Sequence, residues 1–120
     1  MDFSSVQKYL LSKHQAKETF PSGPEVAVYK VCHKMFATLT QEAGVARVNL
    51  KCDPEEAVAL RAKYPAVQPG HHMNKKHWNT VFLDNTIPED EIRQMIDNSY
   101  ELVINNLPSD ELARLLASKG

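Results

Sequence analysis

The stretch His71-His72-Met73-Asn74-Lys75-Lys76-His77-Trp78 concentrates more chemistry-bearing side chains than any other part of the chain. Lys75 and Lys76 can neutralise phosphate oxygens, His72 and His77 can donate hydrogen bonds, and Trp78 offers a ring on which a base can stack. Together these residue types describe an anion-binding surface. A structural reading competes for some of them: Asn74 can cap a turn, His77 can bond to backbone, and Trp78 can belong to the core. The histidines and cysteines also raise a metal site. Structural zinc sites pair their ligands closely along the chain. His72 and His77 have the spacing of one half-site, but Cys32 and Cys52 lie far apart and supply no second half. No metal and no other cofactor is expected.

Nucleophilic chemistry finds less support. Cys32 and His33 are neighbours, so an extended backbone would send their side chains to opposite faces. Cys52, just before Asp53, reads as a small core residue. Serine-hydrolase elbows, phosphate-binding loops and dinucleotide fingerprints are absent from the sequence. The reading is a binding module and not an enzyme.

The wider chain sets the context for that stretch. It has 120 residues, 42% hydrophobic and 24% charged, which suits one globular domain over residues 1–120. The N-terminus lacks a basic segment followed by an apolar run, no membrane-length apolar stretch occurs, and two cysteines are too few for a disulfide framework. A cytoplasmic protein without a membrane partner is expected, monomeric rather than dimeric. The net charge of −1 hides an asymmetry. Residues 1–56 balance, residues 57–83 carry four Lys/Arg and no acid, and residues 84–120 carry three Lys/Arg against eight Asp/Glu.

The elements that must position these residues follow from periodicity. Phe3, Val6 and Leu10 mark a short first helix that Asp2 or Ser4 would cap. Glu25–Val31 and Met35–Thr40 read as paired strands, the second alternating Met35, Ala37 and Leu39 with Phe36, Thr38 and Thr40. Val45–Lys51 alternates an apolar Ala46, Val48 and Leu50 with a polar Arg47, Asn49 and Lys51. Asp53-Pro54-Glu55-Glu56 starts a helix that runs to about Lys63. A short extended piece near Ala66–Gln68 and a strand over Trp78–Leu83 come next. Thr86-Ile87-Pro88-Glu89 reads as a capping box for a long helix whose stripe is Ile92, Met95, Ile96, Ser99, Tyr100, Val103, Ile104 and Leu107. That stripe reads as core, with a partner-binding face as the alternative. Ser109–Ser118 closes the chain as a last helix. The prediction is an α+β fold, an antiparallel sheet of about five strands with helices on one face, in the order α-β-β-β-α-β-β-α-α.

These segments resemble a known family. Val48-Asn49-Leu50-Lys51-Cys52-Asp53-Pro54-Glu55-Glu56 and His72-Met73-Asn74-Lys75-Lys76-His77-Trp78-Asn79-Thr80-Val81 are similar to the most distinctive stretches of the MmcQ/YjbR-like proteins. Phe20-Pro21-Ser22-Gly23-Pro24, Lys34-Met35-Phe36-Ala37 and Ser99-Tyr100-Glu101-Leu102-Val103 fit as well, in order and over nearly the whole chain. The resemblance implies a small bacterial protein with a sandwich similar to secretion-chaperone-like and double-wing domains, of a kind labelled DNA-binding. Cys32-His33 departs from the glycine such proteins use at the first hairpin turn. Because a two-residue hairpin wants positive φ, the turn is expected to be longer or of another type.

The leading expectation is weak, salt-dependent binding of DNA by a basic sheet face and the 71–78 loop, through Arg47, Lys51, Arg61, His72, Asn74, Lys75, Lys76, His77 and Trp78. A protein-interaction or chaperone-like module with a protein partner is the alternative, and a binder of small anions near His72, Lys75 and Trp78 is a third.

Overall fold

A computed structural model describes residues 1–70 and 73–119. Helix α1 (Phe3–Ser12) opens the chain, capped by Asp2, whose carboxylate accepts from Ser5 N at 2.9 Å. Strands β1 (Lys17–Thr19), β2 (Val26–Val31), β3 (Lys34–Glu42) and β4 (Val45–Lys51) follow. Helix α2 (Pro54–Lys63), β5 (Val67–Pro69), β6 (Trp78–Phe82), α3 (Glu89–Asn105) and α4 (Ser109–Ala117) complete it. The strands form one antiparallel sheet in the order β1-β2-β3-β4-β6-β5. The fold is thus α+β, with six strands where about five were expected. The additional strand is β1, a three-residue edge too short to show a period.

The register separates two faces. Ala46, Val48 and Leu50 of β4 stand opposite Gln41, Leu39 and Ala37 of β3, and Val48 and Leu50 opposite Val81 and Asn79 of β6. This face joins the core with Val6 and Leu10 of α1 and the stripe of α3. Ile92, Met95, Ile96, Ser99, Tyr100, Val103, Ile104 and Leu107 are all buried, so the stripe is core. The other face carries Arg47, Asn49 and Lys51 with Thr38, Thr40, Trp78, Thr80 and Phe82.

One residue breaks the alternation. Tyr29 pairs with Ala37, but Lys30 pairs with Met35, so Phe36 is the extra residue of a β-bulge. The bulge turns Phe36 inward, where it is fully buried and meets Tyr100 edge to face at 5.4 Å between ring centres. The alternation predicted for β3 placed it with the polar set. The same bulge interrupts the β3–β4 ladder just beyond the Ala37–Leu50 pair. The Ser99 hydroxyl fills the interruption: it donates to Phe36 O at 2.6 Å and accepts from Lys51 N at 2.9 Å.

Two local expectations need correction. The first hairpin turn is two residues long, with Cys32 at φ 49° and His33 at φ 65°. That is the left-handed pair of a type I′ turn, adopted without glycine because its twist matches the flanking strands. The long helix has no capping box. It begins at Glu89 behind Pro88, and the Thr86 backbone N and hydroxyl both donate to Asp84 Oδ1, at 3.1 and 2.6 Å. Proline ahead of the helix leaves Thr86 outside capping range. Asp53 does cap α2, accepting from Glu55 N at 3.1 Å.

Ser99→Ala would leave two buried backbone groups without partners, each costing about 1–3 kcal/mol. Denaturant unfolding should show a loss in that range or above, with an unchanged slope. A variant as stable as the parent would mean the bulge closes on itself.

Candidate functional site

The residues singled out by the sequence do not form one patch. They fall into three groups, decided by what each side chain already holds.

The first group lies at the end of β4 and the start of β6. Lys51 stands opposite Trp78. The turn before Trp78 is built by Asn74: its carbonyl accepts from His77 N at 3.1 Å and Trp78 N at 2.9 Å, and its side-chain oxygen accepts from Lys76 N at 2.9 Å. Asn74 therefore serves as a turn cap. The turn is fastened to the end of β4, since Cys52 N donates to His77 O at 2.7 Å. Lys75 and Lys76 are left exposed, and His77 and Trp78 half-buried. Lys51, Asn74, His77 and Trp78 line a cleft of 380 Å³ together with Leu102 of α3 and Asn106, which caps that helix. Cys52 also lines it, and burial pushes its thiol up to about 11, with Glu56 and Asp53 adding to the shift. That thiol stays protonated at neutral pH. His72 lies outside the described residues.

The second group is structural. Arg61 of α2 donates from Nε to Asn79 Oδ1 at 2.7 Å, and from its guanidinium to Lys75 O and Trp78 O. Asn79 in turn reaches Ala57 O at 3.4 Å. Arg61 thus approaches the turn from the helix-covered side, with its donors directed at carbonyls. Asn49 is likewise occupied: it donates to Thr38 Oγ1 at 2.8 Å and accepts from the Thr80 hydroxyl. Thr38 is 6% exposed and Thr80 1%, so the centre of this sheet face is a closed polar row. The polar trio has the predicted register but is half-buried throughout.

Arg47 stands by itself. It pairs with Glu42 at 3.1 Å and lies 4.9 Å over the Phe82 ring, with Nε buried and unpartnered. It lies four positions before Lys51 in β4, roughly 13 Å along the strand.

Gly70, Leu102 and Asn106 were not identified from sequence. A Cβ at position 70 would sit 2.9 Å from Trp78 Cβ, so glycine is what lets the β5–β6 hairpin close under Trp78. No spacing in the sequence flags Leu102 and Asn106, which reach the cleft from the flank and the end of a helix read for its core stripe.

Arg61→Ala should remove charge-assisted bonds of about 1.5–3 kcal/mol from the 74–78 turn. Amide exchange at Lys75, Lys76 and His77 should quicken and Trp78 emission shift to the red, with α2 retained. Unchanged exchange there would show that Arg61 does not hold the turn.

Comparison with known proteins places this arrangement. YbdF of Escherichia coli O157:H7 is 38% identical over 96 residues, spanning 80% of this chain and 79% of its own. YjbR of Escherichia coli K12 is 32% identical over 111 residues, 92% of this chain and 94% of its own. The crystal structure of the Deinococcus radiodurans protein DR2400, with a DUF419 domain, superposes with a TM-score of 0.87 at 33% identity, covering 95% of this chain and 87% of the other. A Pseudomonas syringae crystal structure gives a TM-score of 0.74 at 30% identity, over 85% and 98% of the two chains. The YjbR family model matches residues 11–102, the span from the end of α1 through most of α3 that builds the sheet, the turn and the cleft. With that match and those relatives, the chain belongs to the YjbR family.

Proposed function

We propose that this protein binds nucleic acid weakly and without catalysis, through the sheet end formed by Lys51, Trp78 and the turn carrying Lys75 and Lys76. The observation behind the reading is the half-buried Trp78, opposite Lys51, beside two exposed lysines that have no acidic partner within 4 Å among the described residues. An aromatic ring framed by cations is the arrangement on which unpaired bases stack while the backbone is neutralised. The cleft beside it offers room for a base. The protonated Cys52 thiol supports binding over covalent chemistry. On this reading single strands fit better than duplex, because stacking on an aromatic ring needs an unpaired base.

The large apolar side chains with most exposure, Leu11, Phe20, Val45, Val58 and Leu116, sit on different parts of the chain. Among the described residues, Leu11, Val45, Val58 and Leu116 each belong to a different helix or strand and Phe20 to a loop, so no one element exposes two of them.

Trp78 fluorescence, titrated with single-stranded and duplex oligonucleotides at low salt, tests it. Quenching by single strands is expected, with affinity in the range of about 10⁻⁴ to 10⁻⁶ M. Lys75→Ala with Lys76→Ala should flatten the log–log salt dependence by up to about 1.4 on single strands. Trp78→Ala should cost about 1–3 kcal/mol of binding. A folded protein that binds neither form at low salt would overturn the proposal.

A further inference from the structure

At the opposite end of the sheet a second cleft, of 450 Å³, opens between β1, the β2–β3 turn and α4. Its cations are Lys17, Lys30 and Arg114, with Glu111 as the acid in its lining. Lys17 and Lys30 stand directly opposite one another across β1 and β2. Like charges in that register destabilise a strand pair unless an anion lies between them. Among the described residues neither lysine has an acidic partner within 4 Å. Arg114 has only the exposed Asp110 of its own helix, at 3.6 Å. Three cations therefore line one concavity, and of these the paired Lys17 and Lys30 have no acidic partner within 4 Å among the described residues.

The turn adds a second, independent observation. Cys32 and His33 both occupy the left-handed region, which histidine enters more readily than cysteine. Both line the cleft. The turn thereby adds an imidazole to the lining of the cationic cleft. Gln15, also at positive φ (60°), lines the cleft with Thr19, adding an amide and a hydroxyl.

We infer that this cleft binds a small phosphorylated molecule, its phosphate held between Lys17, Lys30 and Arg114 and the remainder meeting Gln15, Thr19 and His33. The volume is that of a small-molecule site, larger than a lone phosphate fills. The inference is independent of nucleic-acid binding at Trp78, which stands on β6, across β3 and β4 from this cleft.

The test is a titration of the isotopically labelled chain with inorganic pyrophosphate, followed by amide shifts, with sulfate at matched ionic strength as control. Saturable shifts at Lys17, Lys30, His33 and Arg114 are expected, with sulfate weaker. Lys17→Ser with Lys30→Ser should weaken binding about tenfold or more while the melting temperature stays level or rises, because the lysine pair is repulsive. Arg114→Gln, on an exposed helix position, should weaken binding without touching the sheet. Shifts centred on residues 75–78, equal shifts with sulfate, or affinity unchanged in both variants would overturn the inference. So would a fall in melting temperature in the lysine variant.

Discussion

The hydroxyl of Ser99 is where helix and sheet become one structure. A bulge at Phe36 is needed to turn that ring into the core, and a bulge breaks the ladder to the next strand. Backbone groups left open inside a core are costly. Ser99, fully buried in the middle of α3, satisfies one on each strand. It therefore fixes the axial position of α3 on the sheet, brings Tyr100 against Phe36, and holds the end of β4 from which Lys51 and Cys52 continue. Neighbouring contacts depend on that placement. Tyr100 donates to His14 O at 2.6 Å, and Asp97 accepts from Tyr9 and Lys13 of the α1 region, both at 2.7 Å.

The turn at residues 74–78 is held in the same manner, by polar groups aimed at backbone. Arg61 and Asn79 couple it to α2, the Cys52 amide couples it to β4, and Gly70 gives it room. The result is a rigid frame on which Lys75 and Lys76 are the parts left free. On the proposed reading, cations displayed on a fastened turn lose little order on binding, which suits a surface meeting a flexible strand.

Much of this was legible in the sequence, for physical reasons that also explain what was not. The stripe of α3 and the alternation of β4 span enough residues for a period to emerge, and Asp53-Pro54 starts its helix by local chemistry alone. The bulge at Phe36 was hidden because it is set by how β2 and β3 pair, not by either strand. The Cys32-His33 turn defied its residue preferences because strand twist outweighs the strain of two left-handed residues. At the site, Lys75 and Lys76 were legible as exposed cations, whereas Trp78 read equally as core or surface and is half-buried. Arg47, Arg61 and Asn49 read the same way, yet their charges and amides are held by Glu42 and Phe82, by the turn carbonyls, and by Thr38 and Thr80. Sequence records that a guanidinium is present but not whether a carbonyl already holds it. The Lys17–Lys30 pair needed a strand too short to foresee.

The most direct measurement of the central claim is native-state hydrogen exchange at the Lys51 amide. If Ser99 completes the sheet at the bulge, this amide sits beyond the last β3–β4 pair yet exchanges only through global unfolding, as slowly as Val48 and Leu50 in the same strand. Exchange of Lys51 by local opening, orders of magnitude faster than Leu50 in a stable protein, would contradict the account.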